Sequence, residues 1–231
     1  MDSEAPSSLQ RCCEPELMLD SAQVAAYADA DFAAGDDAVV QRLAARWQPP
    51  VPARLIDLGC GPGNISFRLR DLWPDREVIG VDGSESMLAV AGQRLLADGG
   101  SGLLAFVEAR MPFSRAALDL LAPPFDAVVS NSLLHHLHDP MVFWRAVVQL
   151  AAPGSFIQMT DLRRPADEPS LQQLLMQHGA SMPAVLRRDY GLSLRAAFTP
   201  GEIAGQLRDA GLTGLQVTCP DDQHLEVWGH L

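Results

Sequence analysis

The feature that most constrains the fold is a regular alternation of short apolar runs with amphipathic stretches through the middle of the chain. Five apolar runs predict β-strands, at Arg54–Leu58, Glu77–Val81, Leu103–Val107, Phe125–Val129 and Ser155–Met159. Four helical patterns lie between them, at about Asn64–Trp73, Ser84–Leu96, Arg115–Leu121 and Met141–Ala151. The apolar runs are not interrupted by polar residues at every second position, which is typical of strands buried on both faces. Strands that alternate with helices predict a parallel sheet covered on both sides, an α/β fold.

The C-terminal third departs from this alternation. Residues 163–198 contain two helical patterns, which predict a helical cap over the carboxyl edge of the sheet, where open α/β folds bind ligands. A start signal at Thr199 to Glu202 predicts a further helix. The last apolar runs, Leu212–Thr218 and Leu225–Trp228, predict an antiparallel hairpin. We therefore expect a three-layer αβα sandwich with seven strands, mostly parallel, in which the hairpin supplies one antiparallel strand.

The N-terminal region predicts two more helices, at about Leu17–Asp31 and Asp37–Trp47. Residues 1–15 are polar and are expected to form a disordered tail. The remaining chain, 16–231, is long enough for a single domain. Within it, residues of about 16–48 and 163–198 are expected to form the cap.

Charge and composition exclude several classes of function. The formal net charge is −12, whereas a surface that binds nucleic acid needs clustered basic side chains. All 17 basic residues are arginine, which excludes a catalytic lysine. The four cysteines form no CxxC pair, although the adjacent Cys12 and Cys13 could bind a thiophilic metalloid. Without a long apolar run or a signal-peptide pattern, we expect a cytoplasmic protein without membrane or nucleic-acid partners.

The run from Asp57 to Asn64 (DLGCGPGN) leads from the first strand into the first helix of the alternation. A dinucleotide-binding G-x-G-x-x-G loop would place its third glycine where this chain has Asn64, one residue after Gly63. The pattern D-x-G-x-G-x-G instead resembles motif I of the class I S-adenosylmethionine (SAM)-dependent methyltransferases, which have a Rossmann-like fold. SAM carries an ammonium and a sulfonium but no phosphate, so the carboxylate of Asp57 suits it better than a dinucleotide.

The resemblance implies which residues surround SAM. Asp82 at the end of the second strand would accept the ribose hydroxyls, a role that an acidic residue also has in NAD sites. Met87 would flank the adenine or pack in the core. Tyr27 would fold over SAM or pack between helices. With Asn131 near the methyl group, the implied cofactor residues are Tyr27, Asp57, Gly59, Cys60, Gly61, Gly63, Asp82, Gly83, Met87, Ala109, Arg110 and Asn131.

The segment from residue 125 to residue 140 (FDAVVSNSLLHHLHDP) is similar to one found in small-molecule methyltransferases such as those of quinone biosynthesis. Enzymes that methylate nucleic-acid amines generally have an Asn/Asp-Pro-Pro-aromatic tetrapeptide here, which this chain lacks. His136 is a candidate general base, or forms a structural hydrogen bond. His135 and His138 are spaced to share a helical face. No third ligand has a suggestive spacing, so no metal is expected.

Asp161 and Arg163 follow the fifth strand and are expected at the mouth of the site. They would bind a polar substrate or, with Arg164, form a surface ion-pair cluster. The sequence thus predicts transfer of the SAM methyl group to a small molecule by in-line displacement, with S-adenosylhomocysteine (SAH) as product. A non-catalytic SAM-binding regulator and an NAD-dependent oxidoreductase are the alternatives.

Overall fold

The computed structural model describes residues 8–17, 21–47, 53–100 and 103–231. A seven-stranded sheet with the order β3-β2-β1-β4-β5-β7-β6 forms its centre. The strands β1 to β5 pair in parallel, and β7 runs antiparallel to β5 and β6. The predicted sheet with one antiparallel strand is therefore confirmed. The strands are β1 Arg54–Leu58, β2 Glu77–Asp82, β3 Leu104–Glu108, β4 Phe125–Asn131, β5 Ala151–Leu162, β6 Gln216–Thr218 and β7 His224–His230.

Helices cover both faces of the sheet. On one face α2 and α3 pack against β1 through a cluster that contains Leu43 and Leu69. On the other face α5, α6 and α9 pack around Trp144, which is fully buried. The helices are α1 Ser21–Asp29, α2 Ala33–Arg46, α3 Asn64–Leu72, α4 Glu85–Ala97, α5 Arg115–Leu121, α6 Met141–Leu150, α7 Glu168–Gln177, α8 Ala184–Ala196 and α9 Pro200–Asp209. None of the helices in the described ranges combines the length and apolar character needed to cross a bilayer.

The strand β5 is longer than the sequence predicts. It begins at Ala151, directly after α6, and an irregularity in its register with β4 lies between Phe125 and Ala127. The apolar pattern does not show these first residues because they lie at the exposed end of the sheet, where Pro153 and Gly154 are open to solvent. The other predicted strands agree with the structure to within a few residues.

The strand register brings the carboxyl ends of the central strands together. Leu58 in β1 pairs with Val81 in β2 and with Ser130 in β4. Asn131 at the end of β4 pairs with Thr160 in β5. The loops that follow β1, β2, β3 and β4 therefore open at one edge of the sheet, as the parallel pairing requires.

The segment Arg163–Phe198 forms the predicted helical cap over this edge. Its helices α7 and α8 pack together around a separate small core that includes Leu171 and Leu194. Asp167 caps α7 by accepting a hydrogen bond from the backbone N–H of Ser170. The predicted capping box at Thr199 and Glu202 is present at the start of α9.

Residues 8–17 differ from the disordered tail that the sequence predicts for residues 1–15. The backbone N–H of Leu9 donates to the carbonyl of Ala166, and that of Cys12 to the carbonyl of Arg195. The guanidinium of Arg11 donates to the carbonyls of Ala196, His135 and Leu137. It also stacks 4.0 Å from the ring centroid of Phe198. Composition could not reveal this because the partners lie more than a hundred residues away; residues 1–7 lie outside the described part.

Candidate functional site

A cavity of about 760 Å³ opens between the carboxyl edge of the sheet and the cap. Most of the residues that the sequence predicts for the site line this cavity: Tyr27, Asp57, Gly59, Cys60, Gly61, Asp82, Gly83, Met87, Ala109, Arg110, Asn131 and His136. Gly63, Asp161 and Arg163 are not among its lining residues. The cavity is of the size that small-molecule and cofactor sites usually have.

The glycines of the loop after β1 have different functions. Gly59 and Gly61 both adopt positive φ angles, of 70° and 52°. A Cβ on Gly59 would lie 2.7 Å from the side chain of Leu133, whereas a Cβ on Gly61 would meet nothing within 4 Å. Gly61 therefore leaves its Cα bare toward the open cavity, where a ligand can approach the backbone closely.

Gly63 has a packing role next to the cavity. It precedes the first residue of α3 and adopts a φ of 88°. A Cβ at this position would lie 2.8 Å from Phe106 and 2.9 Å from Phe67. The bare Cα thus leaves room for the contact between the rings of Phe67 in α3 and Phe106 in β3.

Asp82 is held with its carboxylate at the bend between β2 and α4. Its Oδ2 accepts the backbone N–H of Gly61 at 2.8 Å, and its Oδ1 accepts that of Ser84 at 2.8 Å. Each carboxylate oxygen has a second lone pair, so the group can accept two further hydrogen bonds from a ligand. Asp82 also joins two strands, because its carbonyl accepts the N–H of Ala109 at 3.0 Å.

Buried carboxyl groups concentrate around the loop after β1. Asp57 is 1% exposed and its Oδ2 accepts the hydroxyl of Ser66 at 2.6 Å. Burial raises the pKa of Asp57 to about 7, and the charges of Asp82 and Asp36 add to the effect. Burial also raises the pKa of Asp36 to about 6. Asp36, Asp57 and Asp82 all line the cavity, and a cation bound near them would favour their charged forms.

Arg94 is a residue of this region that the sequence did not single out. Its guanidinium donates to the carbonyls of Pro62 and Ala28 and to the side chain of Asn64. It thereby ties the loop after β1 to helix α1. An arginine in the middle of an amphipathic helix gives no sequence signal for this, since its partners lie 30 to 66 residues away.

Tyr27 and Met87 form apolar walls of the cavity. The ring of Tyr27 lies 4.9 Å from that of Phe32, and burial, helped by the charge of Asp36, raises the pKa of its hydroxyl. Met87 in α4 is 4% exposed, so it belongs to the core and to the cavity wall at once. Arg110 lies at the rim, where its Nε donates to the carbonyl of Gly83 at 3.2 Å.

His135 is the best-connected side chain at the opposite end of the cavity. Its Nδ1 lies 2.5 Å from Oδ1 of Asp161, and its Nε2 lies 3.4 Å from Oε1 of Glu14. Burial opposes its protonation, but the charges of Asp161 and Glu14 outweigh this and raise the pKa of His135. The same partnership lowers the pKa of Asp161 against the effect of its burial.

His136 lines the cavity with a ring that is largely buried. Its ring centroid is 4.2 Å from that of His135, and its Nδ1 is 3.1 Å from Oε1 of Glu14. Burial, with the neighbouring positive charge of His135, lowers the pKa of His136 to about 3. A general base works best with a pKa near the operating pH. His136 is therefore neutral and a weak base, which argues against the role that the sequence proposed for it.

Asp161 and Arg163 do not lie together at the mouth of the site. Asp161 is 2% exposed and is committed to His135, whose backbone N–H it also accepts at 3.0 Å. Arg163 points to the hairpin, where it donates to the carbonyl of Asp222 at 2.8 Å. Arg164 instead pairs with Glu202 at 2.6 Å. The expected cluster is absent because each of the three side chains has a different partner elsewhere in the fold.

Comparisons with known proteins agree with this geometry. A family model described as a methyltransferase domain matches residues 56–157. The trans-aconitate 2-methyltransferase of Streptomyces avermitilis is 40% identical over 86 residues, which are 37% of this chain and 30% of that protein. The enzyme of the same name from Yersinia pestis (strain Pestoides F) is 33% identical over 156 residues, 63% of this chain and 56% of that protein. The chain thus spans from about a third to just over half of the length of these relatives.

Solved structures share the fold at low sequence identity. A SAM-dependent methyltransferase from Aquifex aeolicus has a TM-score of 0.64 and 14% identity, and the match covers 92% of this chain and 99% of that one. The plantazolicin methyltransferase BpumL, solved with a triazolic desmethylPZN analog and SAH, has a TM-score of 0.65 and 13% identity over 90% of each chain. The sheet order and these matches show a Rossmann-like fold. Residues 56–157 thus resemble a methyltransferase domain, and the chain shares the fold of SAM-dependent methyltransferases.

Proposed function

We propose that this protein binds SAM in the described cavity and transfers its methyl group to a small molecule. The observation that carries the proposal is the set of carboxyl groups that line the cavity around the loop after β1, the buried Asp36 and Asp57 and the part-buried Asp82. Their charges would attract a cationic ligand and repel a pyrophosphate. SAM brings an ammonium and a sulfonium, whereas NAD would add two negative charges.

The residues present fit each part of SAM. The free lone pairs of Asp82 would accept the two ribose hydroxyls. The bare Cα of Gly61 would let the methionine portion lie against the loop, with its ammonium near Asp57. The backbone carbonyl of Ala109 would accept the adenine amino group, since its N–H is already bonded to Asp82. When bound, SAM supplies an electrophilic methyl group that passes to a nucleophilic acceptor atom and leaves SAH.

The role of the protein in this reaction is alignment. In-line displacement on a sulfonium needs the acceptor atom held behind the methyl carbon, and such positioning supplies much of the rate. Asn131, at the end of β4, lines the same cavity as the loop after β1 and the histidines, so its amide would be available to position the reacting groups. The cavity continues past it to the cap residues Leu186 and Tyr190, which supply room for the acceptor.

The charges of the lining favour a neutral or basic acceptor. Seven described lining residues are acidic, namely Glu16, Asp31, Asp36, Asp57, Asp82, Asp189 and Asp221. The described lining has two arginines, and Arg42 among them is paired at 2.6 Å with the fully buried Glu226. A tricarboxylate such as trans-aconitate needs several cations around it. We therefore propose an acceptor unlike that of the named relatives.

Two further expectations belong to the proposal. The net charge and the acidic lining favour a small molecule over nucleic acid as partner. The thiols of Cys12, Cys13 and Cys219 are free and exposed, which favours a reducing compartment such as the cytoplasm.

The proposal is tested by incubating the protein with methyl-labelled SAM and a cell extract. We expect label in the small-molecule fraction, in a product that an anion exchanger does not retain at neutral pH. An Asp82→Asn variant should lose most of this activity, while Glu108→Gln should keep it, because Glu108 pairs with Asp82 across the strands but does not line the cavity. Label found in protein or nucleic acid alone would overturn the proposal, and SAM binding without turnover would support a regulatory role instead.

A further inference from the structure

Three side chains with metal-binding atoms converge at the acceptor end of the cavity. They are Oε1 of Glu14, Nε2 of His135 and Nδ1 of His136, and all three atoms lie within 4.8 Å of one another. Glu14 was not considered from the sequence because it precedes the histidines by more than 120 residues. It reaches them because residues 8–17 pack across the 3-10 turn Leu134–His136. The third ligand that the sequence spacing lacked is therefore present.

We propose that Glu14, His135 and His136 form a binding site for a divalent first-row transition cation, of which Zn²⁺ fits best. In the structure Oε1 of Glu14 lies 3.4 Å from Nε2 of His135 and 3.1 Å from Nδ1 of His136. Zinc bonds of about 2.0–2.2 Å in a tetrahedral arrangement place neighbouring ligand atoms about 3.3–3.6 Å apart. The two separations from Glu14 are close to these values, and the third, between the histidine nitrogens, is within 4.8 Å.

The surroundings of His135 are those of a metal-ligating histidine. A ligating imidazole commonly donates its other ring N–H to a carboxylate, which fixes the ring and its tautomer. Asp161 has this position, with Oδ1 2.5 Å from Nδ1 of His135. Asp161 is itself fixed, because Oδ2 accepts the N–H of His135 and Oδ1 accepts that of Leu162. Nε2 of His135 is thus aimed at Glu14 by buried groups.

His136 supplies a second, independent observation. Among the described residues, its Nδ1 is a buried side-chain nitrogen without a hydrogen-bond partner. Glu14 lies nearby, but the geometry of the contact is not that of a hydrogen bond. Buried polar atoms are almost always paired, and one without a partner calls for an explanation. A cation bound to the lone pair of Nδ1 provides it.

A shared proton is the competing explanation of the cluster. A protonated His135 between Asp161 and Glu14 accounts for two of the contacts. It leaves Nδ1 of His136 unpaired, and a cation satisfies all three ligand atoms at once. Two imidazoles with one carboxylate suit Zn²⁺ and its neighbours in the first row, while Mg²⁺ prefers oxygen ligands.

The proposed site has an open side toward the acceptor. His135 and His136 both line the cavity, so a fourth coordination position would face it. Three protein ligands with one open position are characteristic of catalytic zinc sites. An acceptor oxygen or nitrogen bound there would be positioned and would lose its proton more readily. This would supply the activation that His136 as a weak base does not.

Zinc binding to the full chain, stripped with a chelator and dialysed, tests the inference. We expect one equivalent of Zn²⁺ by isothermal titration, and a Co²⁺ derivative with tetrahedral visible bands and no thiolate charge-transfer band. Glu14→Gln and His136→Gln should each weaken binding about 100-fold or more, since even losing an outer partner costs about 10–100-fold. His138→Gln is the matched control, because His138 is exposed and its ring contacts the carbonyl of Glu14 and the side chain of Glu16, not the three proposed ligand atoms. It should bind as the wild type does.

A double variant, Cys12→Ser with Cys13→Ser, separates this site from the nearby thiols. The inference would be overturned by any of three results: loss of Zn²⁺ binding in that double variant, unchanged Zn²⁺ affinity in Glu14→Gln, or no binding by the wild type at micromolar Zn²⁺. Circular dichroism confirms that the variants are folded, and Glu14→Asp, which keeps a carboxylate, should bind more tightly than Glu14→Gln. SAH affinity is measured separately on the metal-stripped protein. This tests the SAM site independently of the cation site, because cation binding does not depend on SAM.

Discussion

Replacing Asp57 by asparagine changes the charge at the centre of the carboxyl cluster and little else. Asparagine has nearly the same shape, and its side-chain oxygen can still accept the hydroxyl of Ser66, which now bonds to Oδ2 of Asp57 at 2.6 Å. The buried negative charge of Asp57 is expected to destabilise the ligand-free protein at alkaline pH, and the asparagine substitution removes this charge. The variant should therefore be more stable than the wild type at pH 8, although it binds SAH less tightly.

The magnitude follows from the pKa of Asp57, which folding raises from 3.8 to about 7. Between these values the folded state holds a proton that the unfolded state has lost, so stability falls as the pH rises through this range. This rise in the pKa lowers the free energy of unfolding by about 4 kcal/mol at pH 8 and has no effect below about pH 4. The new amide group would be buried without an acceptor, which costs about 1–2 kcal/mol. A net gain of about 2 kcal/mol at pH 8 is expected.

Urea unfolding of both proteins at pH 5 and pH 8 measures this difference. At pH 5 the carboxyl of Asp57 is mostly protonated, so the variant should be equal to the wild type or slightly less stable. Asp75→Asn, at an exposed position, should leave both free energies of unfolding unchanged. Parallel pH dependence in the wild type and Asp57→Asn, or a variant less stable at pH 8, would refute the reasoning.

Other expected outcomes concern the same end of the cavity. Because the SAH ammonium favours the ionised form of Asp57, binding should release a proton, and SAH affinity should rise with pH up to about 7. Calorimetry in two buffers of different ionisation enthalpy measures the proton release. Binding without proton release would contradict this expectation. Gly59→Ala should weaken SAH binding and stability more than Gly61→Ala, because only the first places a Cβ 2.7 Å from Leu133; thermal melts with and without SAH compare them. Arg94→Ala should raise the KM for SAM about 10-fold while changing kcat less, since its hydrogen bonds to the loop and to α1 are lost. A fall of about 10-fold in kcat with an unchanged KM would contradict this expectation.

Much of the fold could be predicted because its signals are local. The strands β1 to β4 are continuous apolar runs, and the turns and caps between them have characteristic residues, such as Ser84 at the start of α4. The cofactor half of the site was predictable for the same reason. Asp57, Gly59 and Gly61 lie in one turn, and Asp82 ends the neighbouring strand at a fixed place in a parallel sheet.

The acceptor half could not be predicted, because distant segments form it. Glu14 meets His135 and His136 only when residues 8–17 cross the cap, and the residues around Glu14 have no pattern that indicates this packing. Asp161 lies within the longer β5, and the direction of its side chain depends on which face of the strand it occupies. A shift of one residue reverses that direction. Gly63 shows that a residue within a binding motif can also have a packing role that the motif does not reveal.

The central claim, that the cavity is a SAM site, is tested most directly by the affinity of the purified protein for SAH and for NAD(H). Isothermal titration should give one SAH bound per chain, with binding weakened about 10–100-fold in Asp82→Asn because charge-assisted hydrogen bonds are lost. NAD(H) should not bind. Binding of NAD(H) but not of SAH, or equal SAH affinity in Asp82→Asn and the wild type, would contradict the assignment of the site.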